Sequence, residues 1–250
     1  MKILALIPAR MGSTRFPGKP LKKIGKTPMI ELVYKNVSKS KLILKTVVAT
    51  CDKIIFDYVR SFGGLAVMTK NSHKRASDRC AEALAILEKK NNTRYNVILM
   101  VQGDEPMINS KMISLAIKPF LNDNSIDVVN LMGKIKNKKE FEDQNCIKVV
   151  TDLHDNALYF SRQPIPHGNH FSNKIARKQI CVIPFRRNFL FKYIKLKPSK
   201  LEIEESIDMN RVLEYGFKVR MIKTNYSSFS VDTKKDLKKV QKLLQRKKYN

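Results

Sequence analysis

The sequence predicts an α/β fold, a mostly parallel sheet flanked by helices with a smaller mixed β region. Three observations carry this. Four short apolar runs, at 3–7, 46–50, 65–69 and 97–101, lack the alternation of half-exposed strands and read as strands buried on both faces. Segments of helical periodicity separate them, at 29–38, 54–61 and 77–90, and strand–helix alternation of this kind calls for parallel crossovers. Beyond Phe120 the rhythm loosens into short strands with prolines between them.

The first strand stops at Pro8, which has no N–H to give a ladder. Residues 9–20 then hold Gly12 and Gly18, Ser13 and Thr14, and the cations Arg10, Arg15 and Lys19. Glycine lets backbone come close to a ligand, and free N–H groups in such a loop form a concave anion site. A polyphosphate is the natural tenant, a solvated basic loop the bland alternative. Position favours the ligand, because open α/β sheets bind at the carboxyl ends of their strands. The spacing fits neither the G-x-x-x-x-G-K-[ST] nor the G-x-G-x-x-G fingerprint.

Pro28 precedes the first helix, Gly63-Gly64 stops the second, and Ser77 is the expected N-cap of the third, whose apolar face is Ala81, Leu84, Ala85 and Leu87. Gln102-Gly103-Asp104-Glu105-Pro106 follows the fourth strand. It is a turn by composition, yet a carboxylate there, near a phosphate loop, is where Mg²⁺ would be held.

In the second half, strands are expected at 126–131 and 146–151, separated by the lysine-rich run 134–139, a solvated face. Tyr159-Phe160-Ser161-Arg162 leads into a loop punctuated by Pro164 and Pro166. An apolar run at 180–183, helices at 189–194 and 206–214 (closed by Gly216) and a strand at 217–222 follow. From Lys234 on, Leu237, Val240, Leu243 and Leu244 predict an amphipathic helix with a basic outer face.

At 250 residues the chain is read as one domain, divided roughly into 1–120, 121–233 and a terminal helix 234–250. Its formal charge of +27 suits anionic substrates or nucleic acid. Nucleic-acid binding calls for a clustered basic face interleaved with aromatics, whereas the lysines are dispersed, aromatics are 8% and Trp is absent. Cys51, Cys80, Cys146 and Cys181 form no C-x-x-C pair and read as small apolar residues of a reducing cytoplasm. His73, His154, His167 and His170 show no metal-ligand spacing. No apolar run approaches the ~20 residues of a membrane span, and the start reads as a strand rather than a signal peptide.

Taken together, Ile7-Pro8-Ala9-Arg10, Gly12-Ser13-Thr14-Arg15, Pro17-Gly18-Lys19-Pro20-Leu21 and the 102–106 run resemble the 3-deoxy-D-manno-octulosonate (KDO) cytidylyltransferases, which make CMP-KDO for lipopolysaccharide. Tyr159 to Arg162 with Ile165-Pro166, and Val231-Asp232-Thr233 followed by Asp236-Leu237, match in order, so the resemblance spans nearly the whole chain. It implies a Rossmann-like nucleotidyltransferase fold, a homodimer built through the second half, and CTP, a sugar acid and Mg²⁺ as the molecules bound. By position, Arg10, Ser13 and Lys19 would contact the CTP phosphates. Ala9, Gly12, Ala76 and Ser77 would line the nucleotide, and Gln102 would lie beside nucleotide and sugar. Lys19, Asp104 and Arg10 would be catalytic, Asp104 and Asp232 would ligate the metal, and Arg162 would meet the sugar's carboxylate, with Gln179 and Asp208 on the sugar wall.

The chain departs from that family at three places. The family's Ser-Gly-Thr-Glu-Arg is here Arg75-Ala76-Ser77-Asp78-Arg79; its His-Leu-Gly-Ile-Tyr-Gly-Tyr is Gln179-Ile180-Cys181-Val182-Ile183-Pro184-Phe185; its Glu-Gln-Leu-Arg is Asp208-Met209-Asn210-Arg211. A lost His and Tyr remove hydrogen bonds to sugar hydroxyls. The acceptor is therefore KDO, or a modified acid such as 8-amino-KDO or an acylneuraminate.

Overall fold

The computed structural model describes every residue except 13–15, 169–170, 173, 227 and 247–250. It comprises two compact units, one made of Met1–Ser114 with Ser228–Asn250 and the other of Leu115–Ser227. In chain order the first begins with β1 (Ile3–Ala9), the hairpin β2 (Lys23–Ile24) and β3 (Thr27–Pro28), and α1 (Met29–Ser38). It continues with β4 (Lys45–Thr50), α2 (Lys53–Ser61), β5 (Ala66–Met68), α3 (Ala76–Asn91) and β6 (Val97–Val101). Helix α4 (Ser110–Asn122) carries the chain across the boundary.

Within the first unit the strands run in the order β6-β1-β4-β5, all parallel. All seven residues of β1 and all five of β6 are buried, as unbroken apolar runs require. Pro8 does not end β1, which runs on to Ala9. Its ladder with β6 stops at Leu6 while that with β4 continues to Ala9, so the missing N–H of Pro8 falls where no β6 partner is paired. Ser77 is not an N-cap: Arg75 holds that position, without a side-chain cap, and Ser77 lies buried in the first turn. Helix α4, with Pro119 inside it, has no counterpart in the expectations; Met112, Ile113, Ala116, Ile117 and Phe120 are buried at helical spacing.

The second unit contains β7 (Val129–Lys134), α5 (Lys138–Glu142), β8 (Lys148–Thr151), β9 (Ala157–Ser161), β10 (Arg177–Ile180) and β11 (Val182–Arg186). Helices α6 (Arg187–Tyr193), α7 (Lys200–Glu205) and α8 (Asp208–Glu214) precede β12 (Arg220–Thr224). Strands β12-β7-β10-β8-β9 form a mixed sheet, parallel only between β12 and β7. Several bounds move from those expected. The 126–131 and 146–151 strands start later, the 180–183 run is a junction between two strands, and 217–222 shifts to Arg220–Thr224. The 134–139 run closes β7 and opens α5. The helix expected at 206–214 is present but starts at Asp208, because Ser206 adopts φ 52° as the C-cap of α7.

Returning to the first unit, α9 (Lys234–Arg246) packs Leu237, Val240, Leu243 and Leu244 with Phe16, Ile24 and Met29. Thr233 and Asp236 cap its start reciprocally: the Asp236 carboxylate accepts from the Thr233 N–H at 2.9 Å, and Thr233 Oγ1 from the Asp236 N–H at 3.2 Å. No helix of the described residues is long and apolar enough to cross a membrane.

The second unit's helices are pinned by a buried ion pair. Arg211 donates from Nε and Nη2 to the two oxygens of Glu202, both at 2.6 Å, with its guanidinium 4.9 Å from the Tyr193 ring. Burial opposes the Arg211 charge, and the Glu202 hydrogen bonds more than offset this, raising its pKa. Removing one partner of such a pair leaves an uncompensated buried charge. Glu202→Gln is expected to lower unfolding free energy by about 3–5 kcal/mol, measured by urea denaturation.

Candidate functional site

In the first unit the carboxyl ends of β1 and β6 are held against each other. A Cβ added at Gly103 would lie 3.2 Å from the Pro8 carbonyl oxygen and 3.4 Å from Ile30 Cδ1, so only glycine sits there without displacing backbone. This places Asp104 beside the loop after β1. Gly18, at φ +69°, turns that loop, and its N–H returns to the Met11 carbonyl at 3.0 Å. Lys19 follows in a 3₁₀ turn (Lys19–Leu21). Its ammonium donates to Asp104 Oδ2 at 2.6 Å and Asp232 Oδ1 at 3.3 Å. Burial works against that charge, but the two carboxylates outweigh it and raise the Lys19 pKa. The Val231 N–H bonds the Asp104 carbonyl at 3.0 Å, which brings the segment before α9 to this edge.

Asp52, after β4, anchors the loop from the other side: its Oδ2 accepts the Met11 N–H at 2.8 Å, while its own N–H is held by Thr50 Oγ1 at 3.1 Å. Beyond Met11 lies a cavity of about 170 Å³ lined by Pro8, Ala9, Arg10, His73, Lys74, Arg75, Ala76, Arg79 and Gln102. Four of these are cationic, and His73 Nε2 sits 2.5 Å from the Glu82 carboxylate. Burial raises the Glu82 carboxyl, but bonds from the Lys70 N–H and His73 more than offset it, so its pKa is lowered. Arg79 is buried; Nη1 donates to Thr69 Oγ1 at 2.6 Å, whereas Nη2 and the Ser77 hydroxyl have no hydrogen-bond partner. Buried donors of this kind favour an acceptor from the cavity by about 1–3 kcal/mol each. The basin suits a flat group with acceptor atoms carrying a charged phosphate tail.

The second unit holds the other cluster. Alternation along β9 sends Phe160 into the core and turns Tyr159 and Ser161 toward Glu205, whose carboxylate accepts from both hydroxyls, at 3.1 and 2.6 Å. Asn210, buried in α8, pairs its amide with both the N–H and the carbonyl of Phe160, at 3.2 and 3.0 Å. Arg162 is thereby fixed at the strand's end. Its Nε donates to the Glu205 carbonyl at 2.6 Å, Nη1 to that of Gln144 at 2.9 Å and Nη2 to that of Ser206 at 3.4 Å. Three of the five N–H groups a guanidinium carries are thus placed.

Of the expected residues, Lys19, Asp104 and Asp232 meet at one point, and Ala9, Arg10, Ala76 and Gln102 share one cavity wall. Ser77 lies buried just behind that wall, and Gly12 is part of the same loop, with nothing within 4 Å of an added Cβ. Ser13, with Thr14, Arg15 and His170, lies outside the described residues. In the second unit Gln179 donates to Asn130 Oδ1 at 2.6 Å, and Asp208 opens α8, its carbonyl accepting from the Tyr193 hydroxyl at 2.9 Å. Asp52, Arg79, Glu205 and Lys148 were not singled out from the sequence. Asp52 follows a buried strand as Asp104 does, which was its available signal; the others are tied to partners remote in sequence.

A cytidylyltransferase family model matches residues 4–224. The 3-deoxy-manno-octulosonate cytidylyltransferase of Geobacter metallireducens is 40% identical over 257 residues, covering 98% of this chain and 99% of its own. That of Fusobacterium nucleatum is 41% identical over 240 residues, 96% of each chain. A solved structure, CMP:2-keto-3-deoxy-manno-octonic acid synthetase complexed with CTP, is similar with a TM-score of 0.89 at 32% identity, over 99% of this chain and 100% of that one.

The Asp52–Met11 contact is the hinge pin of the basic loop, and a hydrogen bond to a charged group contributes about 1.5–3 kcal/mol. Asp52→Ala is expected to weaken nucleoside triphosphate binding about tenfold or more. Calorimetric titration reads the affinity, and a melting curve verifies that the fold is retained.

Proposed function

Since the chain belongs to the 3-deoxy-manno-octulosonate cytidylyltransferase family, we propose that it transfers CMP from CTP to KDO and releases pyrophosphate. It is an enzyme of the nucleotidyltransferase class, and its fold is the α/β nucleotidyltransferase fold expected from the sequence. The observation that carries the reading is Lys19 clasped by Asp104 and Asp232 beside a cavity walled by Arg10, Arg75 and Arg79. KDO is favoured over its amino analogue and the acylneuraminates because relatives at 40–41% identity bear the KDO name. A basic nucleic-acid-binding protein is disfavoured by the same membership.

In this reaction the anomeric hydroxyl of the sugar attacks the α-phosphorus of CTP in line. The new O–P bond forms as the bond to the β-phosphate oxygen breaks, and the hydroxyl loses its proton. Phosphate charge would repel the nucleophile, so cations fixed before the substrate arrives lower the barrier. Arg10 and Lys19 take that part here, and Gln102 orients the nucleotide. Cytosine offers an exocyclic amine where uracil has a carbonyl, and main-chain carbonyls of the first loop and near Ala76 and Ser77 would accept from it.

Magnesium fits the donor set. Asp104 and Asp232 converge on one ammonium, so they lie close enough to share a cation, and Mg²⁺ takes one or two carboxylates and completes its shell with waters and phosphate oxygens. Bound there, it would neutralise the phosphates and stabilise departing pyrophosphate. Arg162 is assigned to the acceptor's carboxylate through its remaining N–H groups, a match lysine lacks; Gln179 and Asp208 are assigned to the sugar's hydroxyls. The resemblance further supports a homodimer, cytoplasmic residence and a place in lipopolysaccharide synthesis.

Pyrophosphate release from CTP with KDO, 8-amino-KDO and N-acetylneuraminate tests this reading. KDO should lead the panel; a hundredfold lower kcat/KM than another acid, about 2.7 kcal/mol, would sink it as the native acceptor. Asp104→Ala and Asp232→Ala should each lower kcat by roughly 10²–10³, the scale of one preorganised electrostatic group. Near-normal rates of both at limiting Mg²⁺ would remove the metal assignment.

A further inference from the structure

Lys148 is fully buried in β8, yet among the described residues no carboxylate accepts a hydrogen bond from its ammonium: it donates to the main-chain carbonyl of Asp143, at 3.0 Å, and to that of Arg162. On the opposite side of the same residue, the Arg162 N–H donates to Glu205 Oε2 at 2.7 Å. The backbone of Arg162 is therefore gripped from both sides by charges of opposite sign. Its guanidinium meanwhile bonds the Gln144 carbonyl, so the segment after α5 is tied to Arg162 twice, once through Lys148 and once directly. Packing alone does not call for an ammonium there, since taking a lone charge out of water costs free energy that an apolar side chain would not incur. We propose that Lys148 and Glu205 are a positioning pair that holds Arg162 in register for the carboxylate of the acceptor sugar, an inference that rests on the acceptor role assigned to Arg162 above.

The charged and titratable groups around Lys148 include Cys146, Asp143, Glu205 and Arg162, together with Lys178, its cross-strand partner on β10, whose ammonium is bonded to Glu140 at 2.6 Å. Burial dominates among them and lowers the Lys148 pKa; it also pushes the Cys146 thiol up to about 11, so the thiol stays neutral at working pH. Lys148 therefore sheds its proton earlier on the alkaline side than an ordinary lysine, and the grip on the Arg162 carbonyl loosens with it.

Steady-state kinetics on the full chain with CTP and KDO test the pair. Lys148→Met and Glu205→Gln are each expected to raise KM for KDO about tenfold, with KM for CTP within about twofold of the parent. In the parent, KM for KDO should climb on the alkaline side while KM for CTP does not. Lys148→Arg, which keeps its charge at all working pH, should move that climb to higher pH. A folded Lys148→Met with unchanged KM for KDO overturns the proposal, as does an equal rise in both KM values or a loss of melting temperature alone. Should Lys148→Met not fold, Glu205→Gln and the pH profile of Lys148→Arg decide. Arg162→Ala separates the two readings: no change in KM for KDO overturns the acceptor assignment and the pair with it, whereas a large rise without any effect of Lys148 and Glu205 overturns the pair alone. If another sugar acid proves to be the substrate, the same variants are measured with that acid.

Discussion

The first unit depends on a charge balance at one ammonium. Asp104 and Asp232 lie 85 and 213 positions from Lys19, and both carboxylates reach its Nζ. Two carboxylates drawn together without a cation repel each other, so Lys19 is what lets the edge of the sheet and the start of α9 close on the loop after β1. On the proposed reading, the charges of these three groups would redistribute rather than appear as a polyphosphate and a divalent ion entered. A site whose fields are set before the substrate arrives does not spend binding energy on orienting them.

In both clusters some of the polar side chains grip main chain. Asp52 holds the Met11 N–H, Glu205 and Lys148 hold the two sides of Arg162, and Asn210 holds both polar groups of Phe160. Loops and strand ends have backbone groups without a ladder partner, and a buried charged or amide side chain supplies one. This fixes where a functional side chain starts.

Much of this was legible in the sequence where the determinants are local. Helix α1 and strand β6 fall on the expected bounds because Pro28 and Gly103 punctuate clear apolar patterns. The motifs carrying Lys19 and Asp104 could be read because each combines turn formers with a charge, whereas Asp232 was reached only through the family resemblance of Val231-Asp232-Thr233. What escaped was set by tertiary partners. The start of the 206–214 helix moves to Asp208 because Ser206 takes a left-handed conformation, and α4 was hidden by Pro119 within its pattern. Lys148 lies in an otherwise ordinary β pattern, and Glu205 in an acidic run that resembles a solvated face. Nothing nearby announces that each is matched to Arg162, and only folding brings them together.

The discontinuity of the first unit has a consequence for how the protein is made. Residues 115–227 separate the sheet from Asp232 and α9, so a chain emerging from the ribosome carries the basic loop and Asp104 long before their third partner exists. The sheet can assemble early, as domains generally do during synthesis. Lys19 then has a single carboxylate, and Phe16, Ile24 and Met29 lack the helix that covers them, until the last stretch has been translated. A nascent or prematurely terminated chain thus has the residues of the nucleotide basin but leaves Lys19 half paired and the apolar seam beneath α9 exposed. Only the finished chain closes both carboxylates on Lys19 and covers that seam with α9.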